Sequence, residues 1–86
     1  MFKAENVEKQ LKKYPELAIA LRAGVVSIKM VRELIDVDRY LMNDIYKELV
    51  MSGAVVGVSS SCFRASPEML EYLKERDSNE QSNSTQ

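Results

Sequence analysis

The chain has 86 residues, with 12 basic and 13 acidic side chains, one cysteine and no histidine. That length closes one small core at most, and a lone cysteine without histidine excludes an intrachain disulfide and the usual zinc ligand sets. The net charge of −1 is not the balance of a strong non-specific nucleic-acid binder.

The first predicted element is a helix from about Ala4 to Lys13 within residues 1–14. Val7 and Leu11 stand four apart and give it a thin apolar stripe. Its remaining polar faces place it at the surface or at an interface. Lys9, Lys12 and Lys13 form a basic run, read as a solvated face or as an anchor for a DNA backbone. Tyr14-Pro15 breaks this helix, because the residue before a proline avoids helical geometry. Pro15 opens the second helix, ELAIALRAG, with Leu17, Ala18, Ile19 and Leu21 on its apolar face and Gly24 as its stop. Val25 and Val26 fit a very short strand or an extended link.

Ser27 caps a third helix, SIKMVRELI, whose buried side is Ile28, Val31, Leu34 and Ile35. Only Asp36-Val37 separates it from a fourth helix capped by Asp38 and stopped by Gly53. Leu41, Ile45 and Leu49 recur every four residues and make the expected core stripe. At 100° per residue that choice puts Arg39, Asn43, Tyr46 and Val50 on the far side, flanked by Tyr40 and Lys47.

After Gly53 the period changes. AVVGVSSSCFRAS predicts a β-hairpin with its tip near Ser59 to Ser61. Cys62 is a small apolar filler in it. Ser66-Pro67 opens a last helix, PEMLEYLKER, packed through Met69, Leu70, Tyr72 and Leu73. This helix either completes the core or pairs with a second copy. Residues 77–86, DSNEQSNSTQ, hold no apolar side chain and are expected to be a disordered polar tail.

Two helices set two residues apart, followed at once by a hairpin, give a mainly α fold with a small β-hairpin. The short turn lets the first helix of the pair brace the second, which projects toward a major groove. A helical hairpin in a small bundle is the simpler alternative. On Ser27, Ile28, Val31, Ile35, Val37, Ile45, Leu49, Gly53 and Ala54-Val55, the stretch from Leu17 to Ala65 resembles winged helix-turn-helix domains. Within them it resembles the DNA-reading gamma domains of FtsK translocases. The resemblance implies a winged helix over residues 15–76 and duplex DNA as the partner. Those gamma domains carry arginines in the reading helix where this chain has Leu41 and Asp44, so their target preference does not transfer.

The candidate DNA contacts follow from side-chain chemistry. Arginine pairs bidentately with guanine and asparagine with adenine, which makes Arg39 and Asn43 the base-reading pair, with Tyr46 beside them. Tyr40, Lys47 and Arg64 are candidates for phosphate, Lys29 and Arg32 for the backbone on either side, and Ser60 for the hairpin tip. Asp38 and Asp44 lie close by and oppose phosphate. The expected function is sequence-specific binding of double-stranded DNA by a small transcriptional regulator or phage-type accessory protein. A core this small also favours a homodimer. The alternative is a protein-interaction module for a replication, transcription or defence component.

Catalysis and cofactors are not expected. The carboxylates show no paired spacing, and Gly24, Gly53 and Gly57 are isolated rather than grouped in a phosphate loop. No apolar run approaches the roughly 20 residues that span a membrane. The opening MFKAENVEKQLKKYPE lacks an apolar signal segment, so the cytoplasm is the expected compartment.

Overall fold

Side-chain caps mark where three of the helices begin. The computed structural model describes residues 2–84, with side chains described through Ser78. Among the described residues the order is α1 (Ala4–Lys13), α2 (Glu16–Arg22), β1 (Val26–Ser27), α3 (Ile28–Leu34), α4 (Arg39–Met51), β2 (Val55–Gly57), β3 (Cys62–Ala65) and α5 (Pro67–Ser84). Ser27 Oγ accepts from the Met30 N–H at 3.0 Å, and Asp38 Oδ1 accepts from the Leu41 N–H at 2.8 Å. Each satisfies a backbone donor that the first helical turn leaves without a partner. Ser66 uses its hydroxyl twice. It accepts from the Met69 N–H at 3.2 Å to cap α5 and donates to the Gly53 carbonyl at 2.6 Å. The start of α5 is thereby tied to the end of α4.

The helix ends are as local as the starts. Beyond α3, the N–H of Val37 donates to Arg32 O at 3.1 Å and that of Asp36 to Glu33 O at 3.3 Å. Beyond α4, Ala54 donates to Leu49 O at 2.8 Å and Gly53 to Val50 O at 3.0 Å. Both are the paired closing bonds of a Schellman motif, which needs a left-handed residue just past the helix. That residue is Asp36 (φ 54°) in one case and Gly53 (φ 78°) in the other. The turn between α3 and α4 is therefore a helix stop followed directly by a helix cap.

The sheet is three-stranded and antiparallel in the order β1-β3-β2. Val26 pairs with Phe63 and Ser27 with Cys62, while Val55, Val56 and Gly57 pair with Ala65, Arg64 and Phe63. Of the very short strand or extended link expected at Val25-Val26, the structure has the strand, beginning at Val26 and pairing in the hairpin's sheet. Phe63, fully buried, belongs to a core that also includes Val7, Leu11, Leu17, Leu21, Val31, Met42, Ile45, Leu49, Val55, Met69 and Leu73. The first helix lays Val7 and Leu11 wholly into this core and keeps its lysines outside.

Four expected core positions are exposed instead: Ile19, Leu34, Leu41 and Leu70. Ala20 replaces Ile19 on the buried side of α2, and Met42 replaces Leu41 on α4. A helical period fixes the width of an apolar stripe, but apolar residues on both sides of it leave its rotation open. On α4 the buried stripe is Met42, Ile45 and Leu49, and in this rotation the Tyr46 ring packs on Phe63 of the hairpin with centroids 5.3 Å apart.

The backbone of α5 continues through the stretch expected to be a tail, from Asp77 to Ser84. Asp77 forms an ion pair with Arg22 of α2, so its carboxylate has a partner on the body of the protein. Thr85 and Gln86 lie outside the described residues. Among the described residues no helix is long and apolar enough to cross a membrane.

Candidate nucleic-acid interface

A cleft of about 280 Å³ opens between the first turns of α3 and α4 and the tip of the β2–β3 hairpin. Its walls are Lys29 and Arg32 from α3, Arg39 and Asn43 from α4, and Ser60 and Ser61 from the tip; Ile28 and Met42 supply apolar surface between them. None of these lining residues is acidic. Three elements distant in sequence meet here because the tip is held to α3. The Ile28 N–H donates to Ser61 O at 2.8 Å, directly beyond the Ser27–Cys62 pair of the sheet.

The cleft brings together five of the nine sequence-predicted contact residues: Lys29, Arg32, Arg39, Asn43 and Ser60. The other four lie elsewhere. Tyr46 is half-buried between α4 and the hairpin rather than on the far side of the helix. Its hydroxyl would lie 3.1 Å from a Cβ placed on Gly57, so a glycine in that strand gives the ring its space. Tyr40 and Lys47 stand on the outermost ridge of α4. Arg64 is exposed on the outer face of the sheet, opposite Val56, and does not line the cleft.

The placement of Arg39 and Asn43 corrects the sequence-derived wheel. With Met42 rather than Leu41 inward, α4 is turned by roughly 30° relative to that wheel. Its outermost ridge is then Tyr40, Asp44, Lys47 and Met51, all exposed. Arg39 and Asn43 occupy the flank that faces the hairpin tip. The missed lining residues are Ile28 and Met42, while Ser61 belongs to the Ser59–Ser61 tip already expected beside the phosphate candidates. A run of three serines signals a hairpin tip, but no local pattern says which of them line the cleft.

The turn also separates the charges. Asp38 lies next to Arg39, yet its carboxylate is occupied in capping α4. Asp44 is on the ridge, and Glu48 falls on the flank away from the cleft. The cations Lys29, Arg32 and Arg39 therefore share a surface whose lining includes no carboxylate. Arg39 has a further neighbour: its guanidinium carbon lies 5.7 Å from the centroid of the Tyr40 ring. A second basic surface, formed by Lys9, Gln10, Lys12 and Lys13, belongs to α1 alone.

No family model matches the chain, and neither a curated protein nor a solved structure matches it.

Proposed function

We propose that this chain is a winged helix-turn-helix protein that binds double-stranded DNA. In this reading α3 braces, α4 faces the major groove and the β2–β3 hairpin is the wing. One observation carries it: the cleft in which Lys29, Arg32, Arg39, Asn43, Ser60 and Ser61 converge without an acidic neighbour in the lining. Cations, hydroxyls and an amide are the groups that hold phosphates and base edges. A sugar-phosphate strand passing between α4 and the hairpin tip meets all of them. Lys29, Arg32 and Ser60 hold phosphates, and Arg39 and Asn43 reach purine edges from the flank of α4. Lys47 and Arg64 add charge farther out. The same reading makes the protein a sequence-specific transcriptional regulator or phage-type accessory protein of the cytoplasm, acting as a homodimer that presents two such helices.

The test is fluorescence anisotropy with mixed-sequence duplex DNA over a salt series, wild type against Arg32→Ala/Arg39→Ala. Neither side chain is buried, so the variant should keep its fold, which circular dichroism checks. Binding by counterion release weakens linearly in log salt; losing the Arg32 phosphate contact lowers the slope by about 1, and losing the Arg39 base contact weakens binding by about 1–3 kcal/mol. Absence of salt-sensitive binding at roughly tens of micromolar protein would sink the proposal.

The ridge of α4 favours a second reading. Tyr40 and Met51 are each more than 70% exposed, with Asp44 between them. Apolar contacts beside a carboxylate suit a protein surface better than phosphate. A replication, transcription or defence component bound there would remain bound to the Arg32→Ala/Arg39→Ala variant.

A further inference from the structure

We infer that Tyr40 is a positioning residue for Arg39 and not itself a phosphate ligand. The inference rests on the DNA-binding reading of the cleft. Tyr40 is 72% exposed, so burial explains little of where its ring lies. Over its face lies the neighbouring guanidinium, with its carbon 5.7 Å from the centroid. That lies within the roughly 6 Å over which an aromatic face attracts a cation.

The geometry has a directional consequence. The attraction is between a cation and the ring face and needs no acceptor atom, so the guanidinium keeps its N–H donor capacity. Arg39 lines the cleft, while Tyr40 stands on the ridge outside it. The ring therefore limits the conformations of a long side chain and leaves its donors available to a ligand in the cleft. Holding the donor fork in place before binding reduces the ordering cost on association. The gain belongs to the aromatic ring; the phenol hydroxyl has no part in it.

Two arms test this with the full-length protein. In the free protein, the Arg39 side-chain protons are followed by NMR in wild type, Tyr40→Phe and Tyr40→Leu. The ring-current shift should persist with phenylalanine and vanish with leucine. With duplex DNA, Tyr40→Phe should bind like wild type and Tyr40→Leu should bind roughly two- to fivefold more weakly. In an Arg39→Ala background, Tyr40→Leu should cause no further loss. The proposal is overturned if Tyr40→Phe loses as much as Tyr40→Leu, if the Tyr40 and Arg39 losses simply add, or if wild type shows no ring-current shift. Wild type that binds no DNA would overturn the DNA-binding reading and the Tyr40 role together. A bound wild type with an unresponsive Tyr40 series would overturn only the latter.

Discussion

Asp36 and Gly53 meet the same requirement with different chemistry. Each is the left-handed residue that closes a helix, with φ of 54° and 78°, and each is flanked by the same pair of closing hydrogen bonds. A side chain in that region crowds its own carbonyl, at a penalty of roughly 1–2 kcal/mol that aspartate partly escapes. Asp36→Gly should therefore raise stability by about 0.5–1 kcal/mol, read from urea melts with an unchanged m-value. A neutral or destabilising result would mean that the aspartate side chain contributes to the turn in its own right. Signals at this scale were legible in the sequence. Ser27, Asp38, Ser66 and Gly53 act through bonds to residues no more than four positions away, so their residue types announce them. The second bond of Ser66, to the Gly53 carbonyl, spans the hairpin and left no local trace.

Between elements the sequence spoke less clearly. The fourth helix was plain from its caps and period, but its rotation was not, because Leu41 and Met42 are both apolar and adjacent. That ambiguity carried Tyr46 from an expected DNA-facing position into the junction of α4 with the hairpin. Removing its ring would strip the hairpin of its aromatic contact to α4. Tyr46→Ala should lower stability by about 2 kcal/mol, less than for a fully buried aromatic. Amide exchange at Val58 and Ser59, both bonded to Cys62 O, should accelerate with it. A change within about 0.5 kcal/mol would place Tyr46 back among surface residues. The pairing of β1 with β3 was equally hidden: two residues are too few to show alternation, and their partner lies more than thirty positions away. Of the candidate site, the residue types were legible. Which of them share a cleft depended on that pairing.

At the scale of the molecule, α1 and α5 are joined by a polar cluster that neither helix pattern revealed. Glu8 accepts from the Arg76 guanidinium at 3.2 Å through both of its oxygens and also from the Tyr72 hydroxyl. The Tyr72 ring packs on Phe2 with centroids 5.5 Å apart. Hydrogen bonds from Arg76 and then Tyr72 hold the Glu8 carboxyl below its ordinary 4.5. Burial, then the hydrogen bond to Glu8, pushes Tyr72 up to about 12. The signs follow from linkage. The Glu8 contribution is complete above pH 4.5 and is lost as pH falls through the lower folded value. The Tyr72 contribution is complete below pH 10.0 and is lost as pH rises toward about 12. Thermal melts across the acid limb should show wild type losing stability faster than Glu8→Gln. Parallel curves would show that the cluster adds no pH-dependent stability. Glu8 and Arg76 thus face each other across α1 and α5.

The hydrogen bond from Ile28 to Ser61 O, which holds the hairpin tip to α3, has a thermodynamic consequence. It closes one wall of the cleft and also extends the β1–β3 pairing that encloses α3 and α4 within a single loop of chain. The cleft therefore cannot persist in a chain that has lost its sheet. A ligand seated there binds only the native state and draws the whole folding equilibrium toward it, by an amount set by its concentration relative to its dissociation constant. Occupancy of a surface cleft is in this way coupled to the cohesion of the entire core.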